Sequence, residues 1–264
     1  MITSTVNPKV KKLVSLKQKS KLRHAERVFI VEGVKMFLEA PPQQIKKVYV
    51  SEGFLAKNAP EKLKKVQYEA VSDEVFQKIS DTQTPQGVLC VMKMPEYTLS
   101  DLLQTKKRAP LLVALEDIQD PGNLGTIFRA GEGAGIDGVI MTKTTVDIFN
   151  PKVIRSTMGS IYRVPFLVAE DLSQTIKELK KNGVRVYAAN PDDSADYDTC
   201  DYTVPTAFLI GNEANGLKRE TADMADSYIK IPMKGQVESL NAAVASSVLM
   251  YEAARQRRKG EQKK

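Results

Sequence analysis

The chain has 264 residues, more than the roughly 100 to 200 of a typical domain, so two domains are expected. Hydrophobic residues at 42% and charged residues at 27% exclude wholesale disorder, and a formal net charge of +7 points toward an anionic partner. No run approaches the roughly 18 apolar residues that span a bilayer, and the start Met1–Pro8 lacks a basic region followed by an apolar stretch, so a cytoplasmic protein without a membrane partner is expected.

Cys90 and Cys200 lie far apart, with no second thiol or histidine at metal-ligand spacing, which argues against zinc and disulfide scaffolds. His24 is the single histidine and falls in a basic stretch. Histidine-based triads and acid–base pairs therefore have little material, and a lone histidine ordinarily lies on the surface.

Residues 6–22 read as a basic amphipathic helix, with Val6, Val10, Leu13, Val14 and Leu16 apolar among lysines. Lys9, Lys11, Lys12, Lys17, Lys19, Lys21, Arg23 and Arg27 crowd this region against the single acid Glu26. A second basic cluster, Arg255, Arg257, Arg258, Lys259, Lys263 and Lys264, closes the chain. Charge runs are ordinarily solvated tails. They also suit a polyphosphate, because displaced counterions drive association, and deleting residues 1–23 is then expected to weaken binding to such a partner.

After the basic helix, strand-like and helix-like segments alternate. Val28–Val31 reads as a strand, Gly33–Leu38 as a helix, Val48–Val50 and Val66–Val71 as strands, Ser72–Ile79 as a helix capped by Ser72, and Gly87–Met92 as a strand. This alternation predicts a small layered α/β domain over residues 1–95. Residues 96–110 are polar and charged, with a short helical possibility at Leu99–Leu103, and read as a linker. From 111 to 264 the alternation resumes with longer periods. Strands are predicted at Leu111–Leu115, Gly138–Met141, Val164–Val168, Val184–Ala189, Ala207–Ile210 and Tyr228–Ile231, and helices at Leu124–Gly133, Pro151–Met158, Leu172–Asn182 and Leu240–Arg258. Valine- and isoleucine-rich strands separated by helices predict a mostly parallel sheet covered on both faces.

Gly133, Gly135 and Gly138 fit G-x-G-x-x-G, but they end a helical segment and lead into a strand, the reverse of a dinucleotide site. They read as a helix C-cap and turn. Three other segments set one or two polar side chains among glycines and apolar residues: Asp120–Arg129, Phe208–Gly216 and Ile231–Asn241. In the first, Asn123 suits an N-cap, and Arg129 lies six residues on, off the same helical face. The second takes a buried strand into Gly211 and then Glu213, at the strand end where open α/β sheets bind ligands. The third passes through a turn to Ser239, a natural N-cap, and a helix whose Leu240, Val244, Val248 and Tyr251 form an apolar stripe.

Together the three segments resemble the SpoU (TrmH-like) family of S-adenosylmethionine-dependent RNA ribose 2'-O-methyltransferases, across about residues 111–255 and in the family's order. Arg27–Gly33 and Thr84–Val88 are similar to the L30e-like substrate-binding domain that precedes many such catalytic domains. The resemblance implies a SPOUT fold with a deep trefoil knot, S-adenosylmethionine as cofactor, no metal, and a homodimer formed through the catalytic domain. It also implies an RNA substrate, with ribosomal RNA favoured over tRNA by the added N-terminal domain. A non-catalytic RNA-binding or ribosome-assembly factor of the same fold is the alternative from another class. By position in the motifs, the resemblance assigns Asn123, Arg129, Glu213, Ser239 and Asn241 to the reaction site, and Gly211, Ile231 and Leu240 to the cofactor. A guanidinium ordinarily stays protonated, so Arg129 is expected to stabilise a forming alkoxide rather than act as a base.

Overall fold

The computed structural model describes residues 1–57, 60–104, 108–190 and 194–261, with backbone alone for 260 and 261. The chain folds into two compact units, Met1–Pro95 with Asp147–Tyr162, and Glu96–Val146 with Arg163–Lys264. The stretch 147–162, which the sequence assigns to the second domain, groups with the first, and the linker 96–110 groups with the second.

The first unit runs α1 (Pro8–Gln18), α2 (Ser20–Glu26), β1 (Val28–Glu32), α3 (Val34–Glu39), β2 (Ile45–Ser51), α4 (Glu52–Ala56), β3 (Tyr68–Val71), α5 (Asp73–Ile79) and β4 (Val88–Lys93). Its four strands are ordered β1-β4-β2-β3. Strand β4 is antiparallel to both neighbours, and β2 and β3 are parallel. Ser72 caps α5 as expected, its hydroxyl accepting from the Val75 amide at 3.3 Å. The predicted helix 6–22 is two helices, because Lys19 is extended at φ −111° and ψ 105°.

This basic segment is not a tail. Ile2 pairs with Val71, and Val10, Leu13 and Leu16 are buried with Val28, Tyr49, Val75 and Phe76 in one core. Many of its charges are engaged as well. Lys9 pairs with Glu69, Lys12 with Glu26, Lys17 donates to the Ser80 carbonyl, and Arg23 is 3% exposed. Arg23 donates to the Leu16 and Lys17 carbonyls and pairs with Asp147 at 2.5 Å. Ser20, His24 and the Phe149 amide also bond the Asp147 carboxylate, which fastens the 147–162 stretch to α2. Lys11, Lys19 and Lys21 stay exposed.

The second unit begins with α6 (Leu99–Leu103), β5 (Leu111–Leu115), α7 (Pro121–Ala134) and β6 (Gly138–Thr142). Past α8 (Pro151–Thr157), in the stretch grouped with the first unit, it continues with β7 (Phe166–Ala169), α9 (Leu172–Lys181), β8 (Arg185–Ala189), β9 (Ala195–Asp196), β10 (Thr206–Ile210), α10 (Arg219–Ala222), β11 (Ser227–Lys230) and α11 (Ala242–Glu261). Seven strands form one parallel sheet, β7-β6-β5-β10-β8-β11-β9. Every residue of β5 and β10 is buried, as a strand covered on both faces requires. The short helix α6, placed by the sequence in a linker, buries Leu102 in the core with Ile140 and Ile176. Gly135 takes the left-handed conformation at φ 76° as the C-cap of α7, and β6 follows, so the G-x-G-x-x-G glycines are a helix stop.

Helix α11 buries Ala242, Ala243, Ser246, Leu249, Met250 and Ala253, while Val244 and Tyr251 of the predicted apolar stripe are 48% and 52% exposed. Val244 and Tyr251 therefore face outward, and the core contact is made by the small residues together with Leu249 and Met250. At the helix end, Arg257 donates to the carbonyls of Tyr202, Ala109, Pro110 and Val204, and Arg255 pairs with Glu252. These two arginines of the basic C-terminal cluster belong to the fold; Lys263 and Lys264 lie outside the described residues.

Candidate active site

The carboxyl end of β8 and the loops after β10 and β11 lie at the carboxyl edge of the sheet, where open parallel sheets bind ligands. They enclose a cavity of about 500 Å3, within the range of small-molecule sites. Ile210, Ile229, Leu240 and Leu249 supply apolar wall, and Gly211, Ile231 and Ser239 line it too. Ala189 and Asn190, at the end of β8, line it as well, as do Lys230, Met233 and Glu238, and none of these was singled out as a site residue in the sequence; for the first two a strand end entering Asn-Pro was the available signal.

Gly211 is dictated by contact rather than by backbone angle. A Cβ there would sit 2.0 Å from the Gly216 carbonyl carbon and 2.1 Å from the Leu217 nitrogen, both main chain. The crowding arises because the loop folds back on itself: Asn212 and Gly216 exchange backbone hydrogen bonds of 3.0 and 2.9 Å. Gly216 itself turns through φ 65°, and the main chain of this return forms one wall of the cavity.

At the cavity rim the three motifs meet in one hydrogen-bond chain. Asn241 Nδ2 donates to Asn123 Oδ1 at 3.0 Å, and Asn123 Nδ2 donates to Glu213 Oε1 at 3.0 Å. The Glu213 carboxylate also accepts from the amides of Gln119 and Asp120, at 3.1 and 3.0 Å. Burial works to raise its pKa, but the bonds from Asn123, Asp120 and Gln119 outweigh it and hold the group below the ordinary carboxylate value. Glu213 is thus an ionised acceptor at neutral pH. Its bonds fix which end of the Asn123 amide faces Asn241, so its role here is orientation rather than proton transfer.

Two capping assignments change. Asp120, not Asn123, caps α7, accepting from the Asn123 amide at 2.7 Å, which frees the Asn123 side chain for the bonds above. Asn241, not Ser239, caps α11, its Oδ1 accepting from Ala243 and Val244 at 2.9 and 3.3 Å. Ser239 is exposed at the cavity. Arg129 is exposed on α7 and makes no hydrogen bond or ion pair among the described residues. Asn123, Glu213 and Asn241 are therefore linked by hydrogen bonds, Gly211, Glu213, Ile231, Ser239 and Leu240 share the cavity, and among the described residues no side-chain hydrogen bond or ion pair joins Arg129 to either group.

The arrangement offers an apolar slot with main-chain edges beside a rim of amides and a hydroxyl. It can hold an uncharged ring system and orient a second reactant, and Glu213, the carboxylate of the hydrogen-bond chain, has both oxygens occupied. The sequence matches the SpoU rRNA methylase family over residues 110–251 and the MRM3-like substrate binding domain over residues 7–90. It is 34% identical over 253 residues, 95% of this chain and 97% of the relative, to the 23S rRNA (guanosine(2553)-2'-O)-methyltransferase RlmP of Bacillus subtilis (strain 168). Among solved structures it is similar to an AdoMet-bound rRNA methyltransferase from Sinorhizobium meliloti, with 31% identity and a TM-score of 0.84 over 96% of this chain and 97% of that one. It is also similar to the SpoU methyltransferase AviRb from Streptomyces viridochromogenes in complex with AdoMet, with 25% identity and a TM-score of 0.85 over 95% of this chain and 98% of that one. The three motifs, the parallel sheet beneath them and both matched segments place this chain in the SpoU rRNA methylase family.

Proposed function

We propose that this protein transfers a methyl group from S-adenosylmethionine to a ribose 2'-hydroxyl of ribosomal RNA, specifically 23S RNA, in the cytoplasm. The observation that carries the reading is the chain Glu213–Asn123–Asn241 at the rim of the cavity, which unites the polar groups of all three motifs. The cavity's volume and apolar walls suit an adenosine, and the close return at Gly211 sets main-chain donors and acceptors against it. Extension of the likeness to the Bacillus relative across both units favours rRNA over tRNA.

The cofactor supplies an electrophilic methyl on a sulfonium. Gly211, Ile231 and Leu240 hold it, and Ser239, Asn241 and Asn123 position the ribose. Such positioning can contribute roughly 7 to 11 kcal/mol, against about 3 to 4 kcal/mol for one directed donor to a developing alkoxide. Arg129, charged and without a competing partner in the described residues, serves as that donor, and a phosphate of the RNA accepts the proton. The outward Val244 and Tyr251 on α11 support a homodimer through the second unit. Light scattering of wild type and Val244→Glu checks this, with a monomeric wild type contradicting it.

Mapping 2'-O-methylation across total RNA from cells with and without the protein tests the function. One 23S ribose should lose its methyl group. Loss at a tRNA instead would move the substrate, and an unchanged map would leave an RNA-binding role.

A further inference from the structure

Two acidic residues at the carboxyl end of β5, Glu116 and Asp117, have no part in the transfer described above, yet they grip both ends of the loop 211–218 that walls the cavity. Glu116 is 4% exposed. Its amide donates to the Ile210 carbonyl at 2.8 Å, which carries the β5–β10 ladder to the last residue before the loop. Its carboxylate accepts from the Lys218 amide at 2.8 Å and the Thr221 hydroxyl at 2.5 Å, where the loop ends.

Asp117 grips the start of the loop with its main chain and the end with its side chain. Its carbonyl accepts from Asn212 Nδ2 at 2.7 Å and Gln119 Nε2 at 3.1 Å. Asn212 Oδ1 in turn accepts from the amides of Ala214 and Asn215, at 2.9 and 3.2 Å. The Asp117 carboxylate accepts from Thr142 at 2.9 Å and from Thr144, and it pairs with Lys218 Nζ at 2.9 Å. The backbone is held at φ 59°, a left-handed conformation uncommon outside glycine, asparagine and aspartate. A surface ion pair alone requires no such backbone. A residue that must aim its carbonyl at Asn212 while its carboxylate reaches Lys218 does, and such outliers gather where a site is pre-organised.

We propose that Asp117, backed by Glu116 and Lys218, is a positioning residue that holds the 211–218 loop in the shape that receives the cofactor. It acts through Asn212 and the main chain of 214–217 and touches no reacting atom. The inference rests on the methyltransferase reading for the identity of the ligand, and not for the effect on the loop.

The test compares full-length wild type, Asp117→Ala, Asp117→Asn and Lys218→Met by hydrogen exchange without ligand and by calorimetry with S-adenosylhomocysteine. In Asp117→Ala, exchange at the Ala214 and Gly216 amides should accelerate about tenfold, and the Kd for S-adenosylhomocysteine should rise about tenfold, which equals about 1.4 kcal/mol. The Val139 amide, bonded to Pro165 in the same unit, should keep its wild-type rate. Asp117→Asn, which tolerates the left-handed backbone and keeps an acceptor, should recover most of both effects. Lys218→Met, a change at the surface, should shift the same amides in the same direction and carries the test if the alanine variant does not fold. With cofactor saturating, kcat should stay near wild type while the cofactor KM rises. Unchanged exchange at Ala214 and Gly216, or equal acceleration at Val139, overturns the proposal. Absence of S-adenosylhomocysteine binding to wild type, with the loop amides still responding, would instead sink the methyltransferase reading and leave the loop role standing.

Discussion

Replacing Gly211 by alanine probes the cavity wall with one methyl group. That methyl would fall 2.0 Å from the Gly216 carbonyl carbon and 2.3 Å from its oxygen. Ordinary contact needs about 3.4 Å, and the struck atoms are main chain, so the loop must retreat by more than an ångström. Overpacking of this kind costs roughly 1 to 3 kcal/mol, and the two bonds between Asn212 and Gly216 add about 0.5 to 1.5 kcal/mol each if they break. The β5–β10 ladder lies outside the disturbed loop, so the cost falls on the cavity and not on the sheet. We expect Gly211→Ala to fold, to lose a few degrees in Tm, and to bind S-adenosylhomocysteine at least about thirtyfold more weakly, about 2 kcal/mol. Calorimetry and thermal melting on the same sample decide it. Wild-type affinity in the folded variant would refute the placement of the cofactor against this loop.

Arg129→Lys should keep cofactor affinity and lose about a hundredfold or more in kcat, since an ammonium lacks the planar fork; single-turnover assays across pH read this, and near-complete rescue by lysine would contradict it. The triple substitution Lys11, Lys19 and Lys21 to Glu should weaken RNA binding and flatten its salt dependence by about two units of log–log slope, at roughly 0.7 to 0.9 per phosphate contact. An unchanged slope would remove these lysines from the interface. Asp147→Asn should destabilise the first unit by about 3 to 5 kcal/mol at neutral pH, because Arg23 is left buried without its counter-charge. Burial opposes the charge on Asp147, but Arg23, Ser20 and the Phe149 amide hold its pKa below the ordinary value of 3.8. The wild-type advantage is therefore complete above that value and disappears as the pH falls through the lower folded-state one. Urea titrations from neutral to acid pH check it, with a pH-independent difference contradicting the assignment.

Much of the second unit was legible because its central strands β5 and β10 are buried on both faces and read as unbroken apolar runs, as Leu111–Leu115 does. The motif residues were named from the family resemblance, and three of them, Asn123, Glu213 and Asn241, lie in one hydrogen-bond chain. Their connections were not legible. The sequence offered Asn123 as a cap, but Asp120, with Pro121 ready to start the helix, took that role, and a contact with Asn241 from 118 positions away carries no local signal. The charge clusters misled for a related reason. Lysine and arginine read alike whether solvated or engaged, and only the fold shows Arg23 and Arg257 engaged with main-chain carbonyls and, for Arg23, with Asp147. The deletion of residues 1–23 that the sequence recommends would thus strip Ile2, Val10, Leu13 and Leu16 from a core, which is why point changes at exposed lysines replace it. Of the predicted apolar stripe, Val244 and Tyr251 point outward because the small residues, with Leu249 and Met250, take the buried face of α11.

The most direct test of the account is to incubate purified protein with methyl-labelled S-adenosylmethionine and 23S RNA, digest the product to nucleosides, and identify the labelled atom. The account requires label on a ribose 2'-oxygen and none when Asn123 is replaced by alanine. Label on a base, or no label from a wild-type protein that binds both reactants, would contradict it.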